Sequence, residues 1–351
     1  MYRIIQKRKI WFTLSGTLVL LSILSLLFWG LKFNIDFTGG SLLELKFTNQ
    51  ELNSDEINQA LSDLKLPYLN IQPTSNKGVI LKTKTLSETE HQEILKKLVA
   101  AFSPEDAKKV ESVSLTPEQL GLSGQGMENL QITATGTAAD IFKQQQNLPS
   151  LNLDIVNKYF TEQSFSSIGP TIGKELQQKS IYAIIIVNLA IILYITYAFR
   201  KISQPVESWK YGVAAVIALI HDITIVIGLF SVLGHFFGYQ VDSLFVTAIL
   251  TILGFSVHDT IVTFDRVREN LRHHLDKTFE EVVNLSVNET IIRSLNTTIT
   301  TFLTLLAIYL FGGVTLNHFV LTLMVGIVVG TYSSIFLASP LLLFFYKFKK
   351  Y

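Results

Sequence analysis

The chain contains no cysteine. That excludes disulfides, thiol catalysis and cysteine-ligated metals, and it leaves an exported domain with nothing to oxidise. Charge is scarce too: Asp, Glu, Lys and Arg make up 16% of the 351 residues, while 48% are hydrophobic. This balance is too apolar for an ordinary soluble protein. The charges nearly cancel, to a net +1, so no global field points to nucleic acid and no nucleic-acid partner is expected. No hydrolase, redox or nucleotide-binding pattern occurs, and Gly173-Lys-Glu175 lacks the spacing of a phosphate loop. No covalent catalysis, metal or organic cofactor is therefore expected.

The apolar residues are gathered in blocks. Runs at about residues 10–31, 181–199, 211–234, 241–264, 295–312 and 316–345 approach or exceed the ~20 residues that span a bilayer as a helix. The lipid bilayer is thus the expected surrounding. Arg3, Lys7, Arg8 and Lys9 precede the first run. A signal peptide is the alternative, but the run is too long for one and lacks a small-x-small cleavage site. Arg200, Lys201 and Lys210 lie in one connection, Arg266, Arg268, Arg272 and Lys277 in another, and Lys347, Lys349 and Lys350 at the end, whereas 234–241 and 313–317 have no Lys or Arg. The positive-inside rule then gives six helices with both termini cytoplasmic.

The chain divides into residues 1–31, the cytoplasmic N-terminus and first helix; 32–176, a polar extracytoplasmic domain; and 177–351, helices two to six with a cytoplasmic loop at 265–293. Within the polar domain the alternation of residues suggests strands at 41–47, 70–74 and 79–85, the last two around an Asn76-Lys77-Gly78 turn. Helical periodicity suggests 54–64, with Ser54 as N-cap, and 87–102. The order β-α-β-β-α needs one closing strand to complete a ferredoxin-like sandwich. Residues 110–115 and 165–170 compete for that place, and 165–169 is the expected strand. Residues 104–164 read as an insertion, rich in Gly, Gln, Asn and Thr, with one amphipathic helix at 152–160.

Asp259 sits inside an otherwise apolar helix. A carboxylate in hydrocarbon costs at least ~2.5 kcal/mol, so it implies a partner, a water-filled cavity or a bound proton. At about 100° per residue, Ser256, Asp259, Thr263 and Arg266 share one stripe, which faces other helices. Two readings stand: a carboxylate neutralised for packing, and a site that takes up and releases a proton, because removal from water disfavours the charged form. His258 lies about 100° further round, either on a proton path or in an interhelical hydrogen bond.

Arg293 is the candidate counter-charge for Asp259, the alternative being a side chain that reaches to phosphate headgroups. Asn296, Thr297, Thr300, Thr301 and Thr304 give the fifth helix a polar face, which lines water with Asp259 or serves as interhelical glue. His221 and Asp222 interrupt the third helix as structural support or as a proton relay. Gly326-x-x-x-Gly330, followed by Thr331, Tyr332, Ser333 and Ser334, reads as close helix packing. Residues 277–292 read as a helix lying on the membrane.

The stretches Asn34-Ile-Asp-Phe-Thr-Gly-Gly40, Ser167-Ile-Gly-Pro-Thr-Ile-Gly-Lys-Glu-Leu176, Ala218-Leu-Ile-His-Asp222, Asp259-Thr-Ile-Val-Thr-Phe-Asp-Arg-Val-Arg-Glu-Asn270, Asn288-Glu-Thr290 and Gly330-Thr-Tyr-Ser-Ser-Ile-Phe336 stand out in this order. Together they resemble the SecF family of protein-export membrane proteins. The resemblance implies a polytopic α-helical membrane protein, the six-helix half of an RND-type transporter, with an α+β ferredoxin-like extracytoplasmic domain between helices one and two. It implies pairing with SecD in the bacterial inner membrane, and work with the SecYEG translocon, SecA and a YajC-like accessory subunit on unfolded exported polypeptides. Proton flow, or sodium flow, would drive late steps of export.

By position, Asp259 matches the family's intramembrane acid and Arg293 its basic residue on the fifth helix. His258 stands where the family commonly has Asn. Asp36, Phe37, Thr38, Gly39 and Gly40 form an extracytoplasmic motif. Two other readings stay open: half of an RND-type exporter of lipids or small molecules, and a non-conducting structural scaffold of the translocon.

Overall fold

In chain order the elements are α1 (Arg8–Trp29), β1 (Gly40–Phe47), α2 (Ser54–Leu61), β2 (Asn70–Thr74), β3 (Gly78–Thr83), α3 (Glu88–Phe102), α4 (Pro104–Val110), α5 (Leu153–Tyr159) and β4 (Phe160–Ile168). There follow α6 (Pro170–Ala198), α7 (Ser208–Phe237), α8 (Ser243–His273), α9 (Phe279–Phe311), α10 (Asn317–Ser333), a π-helical turn (Ser334–Ala338) and α11 (Ser339–Phe348). The structure, a computed structural model, describes residues 2–48, 52–74, 77–110, 153–200, 206–313 and 316–348. They divide into two units, Met1–Phe37 with Glu175–Tyr351, and Thr38–Lys174.

The second unit is built on a four-stranded sheet of order β2-β3-β1-β4 in which every neighbouring pair is antiparallel. With helices after β1 and β3, this is the ferredoxin-like arrangement. Alternation along the strands sends Leu43, Leu45 and Phe47 of β1 and Val79 and Leu81 of β3 to one face. There they meet Ile57 and Leu61 of α2 and Ile94, Leu95, Leu98 and Val99 of α3, spaced for one side of a helix. Asn53, and not the expected Ser54, caps α2: its side chain accepts from Glu56 N–H at 2.9 Å while the Glu56 carboxylate accepts from Asn53 N–H at 2.8 Å. A Ser54 cap would place Ile57 at the return position, and Ile57 has no acceptor to offer.

The closing strand takes in 165–168 of the expected 165–169 but begins earlier. β4 pairs with β1 from Phe47↔Phe160 to Gly40↔Ile168, with a register shift at Glu44/Leu45. Ala107 of α4, Val156 of α5 and Phe160 all enter the same core. Both margins of the stretch 104–164 are thus built into the domain. Residues 111–152, including most of the alternative closing strand, lie outside the described residues, as does Asn76 of the expected turn.

Among the described residues six helices are long and apolar enough to cross a membrane: Ile5–Trp29, Pro170–Ala198, Ser208–Phe237, Ser243–His273, Phe279–Phe311 and Asn317–Tyr346. In hydrocarbon the backbone must satisfy its own hydrogen bonds, which favours unbroken helices. One expectation is corrected on this ground. Residues 277–292 do not lie apart on the membrane surface but form the first half of α9, which starts at a Thr278–Glu281 capping box. No Gly or Pro interrupts 279–311, and Val283 and Val287 pack with Ile4, Ile5, Phe264 and Leu342 in the bundle core. The non-helical connection between α8 and α9 is 274–278, because α8 runs to His273 and α9 begins at Phe279.

Burial is uneven among the helices. Of the most apolar stretch, 56% is buried within the chain in α7, but 11% in α9 and 6% in α6, so α6 and α9 present most of their surface outwards. α10 packs closest on α8, where a Cβ at Gly326 would overlap the Ile252 side chain and one at Gly330 would come within 2.9 Å of Ser256 Cβ. The small-x-x-x-small spacing provides that approach.

Candidate functional site

The close approach of α8 and α10 brings two buried carboxylates into one polar layer. Asp222, on α7, is fully buried. Its Oδ2 accepts from Ser256 Oγ of α8 at 2.6 Å and from Ser333 Oγ of α10 at 2.8 Å, and its Oδ1 lies 3.0 Å from His221 Nδ1. A carboxylate out of water persists only with such partners. The His221 ring stacks beside Tyr332 at a centroid distance of 6.2 Å, and the Tyr332 hydroxyl lies 3.1 Å from Ser15 Oγ of α1. His221 Nε2 is buried without a hydrogen-bond partner among the described residues.

Asp259, on α8, is 4% exposed. Its Oδ2 accepts from Thr331 Oγ1 of α10 at 3.1 Å, and the buried Ser294 of α9 lies within electrostatic reach of the carboxylate. Thr331 in turn shares a 2.5 Å hydrogen bond with Thr298 of α9. One turn on, Thr263 Oγ1 donates back to the Asp259 carbonyl at 3.1 Å, and Thr260 pairs with Ser334 in the π-helical turn at 2.8 Å. α8 therefore touches both carboxylates, one through Ser256 and one as its own residue 259. A rotation of α8 against α10 would alter both sets of bonds together.

The stripe expected on α8 is buried at Ser256, Asp259 and Thr263 but not at Arg266. Arg266 reaches the helix flank, with Nε 2.7 Å from Glu289 and Nη1 2.6 Å from Glu269. His258 and Arg293 lie within electrostatic reach of the Asp259 carboxylate, yet both are exposed on this chain and neither comes within the 4.0 Å of an ion pair with it. Arg293 sits about four turns inside α9, not at its start. Asn296 and Thr300 are exposed and Thr297 half-buried, with Thr297 and Thr300 donating to carbonyls of their own helix.

The face of α9 that meets the acids is a different one, carrying Thr290, Ser294 and Thr298 at intervals of four. Ser294, Thr298, Thr331, Ser333 and Ser334 are the site residues that sequence reasoning missed or assigned to packing alone. Two signals pointed to them: the four-residue spacing itself, and the run of hydroxyls directly after the second glycine of α10.

The motif at 36–40 divides between the two units. Asp36 belongs to the membrane unit, where its Oδ2 accepts from Ser243 N–H at 2.9 Å and from the Ser243 hydroxyl. Asp242 caps the same helix start, accepting from Phe245 N–H at 2.7 Å. Burial raises the Asp242 pKa and the nearby Asp36 charge adds to the effect, against the bond from Phe245. Phe37 is buried with Phe230, Val241 and Phe245. Thr38, Gly39 and Gly40 open the sheet unit. Gly39 has φ +74°, and a Cβ there would stand 2.7 Å from Pro170 Cα, so only glycine fits the crossing. These residues join elements and do not line the acidic layer.

Comparison with known proteins agrees with this architecture. Residues 151–348 match the family described as "Protein export membrane protein SecD/SecF, C-terminal". The chain is 36% identical to the protein translocase subunit SecF of Thermobaculum terrenum, over 97% of this chain and 93% of that one. It is 34% identical to the SecF of Anaerolinea thermophila, over 97% and 92%. The crystal structure of SecDF, a translocon-associated membrane protein from Thermus thermophilus, superposes with a TM-score of 0.70 at 26% identity, covering 100% of this chain and 39% of that one. By a family match over more than half its length and by relatives aligned almost end to end, this multi-pass membrane protein belongs to the SecF family of protein-export membrane proteins.

Proposed function

We propose that this chain is an auxiliary subunit of the Sec protein translocase that pairs with a SecD half in the bacterial inner membrane, with both termini cytoplasmic, and couples proton entry to late steps of protein export. The observation that carries this reading is the position of Asp259 at the edge of an uncovered face. His258, Arg293, Asn296 and Thr300 point outwards from α8 and α9 beside it. Charged and amide side chains facing hydrocarbon are costly, so this face calls for a covering helix bundle. The SecDF of Thermus thermophilus, of which this chain matches 39%, is consistent with a second half of similar kind supplying it.

In this reading a proton entering from outside neutralises Asp259. The carboxyl then loses its attraction to Arg293 and rebalances its bond to Thr331, and α8 shifts against α10. Ser256 carries the shift to Asp222. A proton falling through 100 mV releases about 2.3 kcal/mol, which is a population change of roughly fifty-fold. That suffices to favour one of two helix packings, and the extracytoplasmic domain would follow, drawing on a polypeptide emerging from SecYEG after its passage by SecA. A YajC-like subunit would accompany the pair.

The test is export into vesicles bearing the chain, a SecD partner and the translocon, with and without a proton gradient. Asp259→Asn is expected to remove the stimulation by the gradient while the subunit still copurifies with SecD, and Asp259→Glu to restore part of it. Full stimulation in Asp259→Asn would defeat the proposal. A sodium gradient that stimulates in place of a proton gradient would reassign the coupling ion.

A further inference from the structure

At the end of the bundle where the chain begins, a cavity of about 320 Å³ is lined by Arg3, Gln6, Lys277, Glu281, Asn284 and Leu285. Its floor is rigid. Asn284 is buried, its Oδ1 accepting from Ile4 N–H at 3.0 Å and Ile5 N–H at 3.2 Å while its Nδ2 donates to the Tyr2 carbonyl at 3.1 Å. The N-terminal segment is thereby tied to α9, and Arg3 and Lys277 both line the cavity.

The charges around this cavity do not cancel. Arg8, one turn on, is matched by Glu280 at 3.2 Å. The acid that lines the cavity, Glu281, is engaged at the head of α9, where its Oε2 accepts from Thr278 N–H and from the Thr278 hydroxyl, both at 2.9 Å. Its charge also faces Lys277, but not at ion-pair distance. Neither Arg3 nor Lys277 is within 4.0 Å of a carboxylate among the described residues. Two cations thus converge on a walled space whose single acid already serves a helix cap.

The depth of the cavity in the membrane follows from its neighbours. α1 enters its apolar run directly after Lys9, and Trp11, two residues on, donates its indole N–H to the Ile4 carbonyl at 3.1 Å. An indole with its ring on the apolar side and its N–H on the polar side marks the headgroup level. A guanidinium and an ammonium at that level match a phosphate, the first by paired donors and the second as a point charge. We propose that this cavity binds a phosphate-bearing anion, supplied by the headgroup of an anionic membrane lipid, between Arg3 and Lys277.

The test is native mass spectrometry of the full chain in detergent, titrated separately with short-chain phosphatidylglycerol, phosphatidylcholine and inorganic phosphate. Phosphatidylglycerol is expected to bind in a one-to-one complex, and Arg3→Gln/Lys277→Gln to weaken it at least tenfold, since each basic residue near a membrane surface contributes about fivefold to anionic-lipid affinity. The charge-keeping Arg3→Lys/Lys277→Arg should retain binding. Arg200→Gln/Arg272→Gln, which removes two cations from the same end of the bundle but outside the cavity, should leave it unchanged. Inorganic phosphate binding with the same dependence on Arg3 and Lys277 would keep the anion site and make its source soluble. Binding that survives in the Arg3→Gln/Lys277→Gln variant, or that falls equally in the Arg200→Gln/Arg272→Gln variant, would overturn the proposal.

Discussion

The Ser256 hydroxyl of α8 donates a 2.6 Å hydrogen bond to the Asp222 carboxylate of α7. Three residues later the same helix carries Asp259, whose carboxylate is held by Thr331 of α10. One element therefore touches both buried acids, and a shift of α8 would alter the bonds at both.

Removing the link should be measurable. Ser256→Ala takes one of two hydroxyl donors from a buried carboxylate, a loss of about 1.5–3 kcal/mol for a bond to a charged group. Unfolding in detergent is expected to show that loss for Ser256→Ala and for Ser333→Ala. In the double variant the effects should not add, because the carboxylate is then left without its hydroxyls. Strict additivity would show that the two donors act independently.

Asp222 separates a steric role from an electrostatic one. Asp222→Ala leaves Ser256, Ser333 and His221 facing a void, and is expected to cost at least about 3 kcal/mol. Asp222→Asn keeps the shape and one acceptor oxygen and should cost less than half as much. Equal losses, read from the same melting curves, would mean that the charge is what the site requires.

Gly326 is defined by what stands over it. A methyl group there overlaps Ile252, so Gly326→Ala should destabilise the α8–α10 contact by about 1–3 kcal/mol. The paired Gly326→Ala/Ile252→Ala is expected to recover part of that. Absence of any rescue would place the strain elsewhere.

Arg293 is exposed on the isolated chain. Arg293→Gln should leave the melting temperature of the purified subunit within the scatter expected for a surface change, ±0.5 kcal/mol. It is expected to lower gradient-stimulated export and retention of a SecD partner in copurification. A large drop in subunit stability would instead assign Arg293 to the fold.

In the sheet unit, His91 lies 3.4 Å from Glu88 and 3.3 Å from Glu162, with Phe165 stacked on its ring at 3.8 Å. Burial works against the charged ring, but Glu162 and Glu88 outweigh it and hold the pKa above its ordinary value. A raised pKa means that the folded state binds the proton more tightly. The resulting stability is complete below the unfolded value near 6.5 and is lost as pH rises through the folded value. Hydrogen exchange at α3 and β4 in the full chain, corrected for intrinsic rates, should show stronger protection at pH 6 than at pH 8. His91→Gln should flatten the difference.

Much of the architecture was legible in the residues. Six apolar runs set the helices because a bilayer demands length and internal hydrogen bonding. Strand alternation and helix periodicity set the β-α-β-β-α order, which the antiparallel sheet completes with β4. Boundaries were less legible. The cap of α2 shifted by one residue because capping is reciprocal and needs Glu56 three places on. The segment 277–292 looked interfacial because amphipathicity alone does not say whether the apolar face meets lipid or protein.

For the site, the chain by itself determined which groups are expensive to bury: Asp259, Asp222, His221 and the hydroxyls around them. Periodicity also placed Ser256, Asp259 and Thr263 on one inward stripe. Tertiary structure decided which partner each found. α9 carries two hydroxyl faces, and only the packing of α8, α9 and α10 turns Ser294 and Thr298 inwards and leaves Arg293 and Asn296 outside. The reason is that a helix fixes angles within itself, whereas its rotation about its own axis is set by the neighbours it packs against.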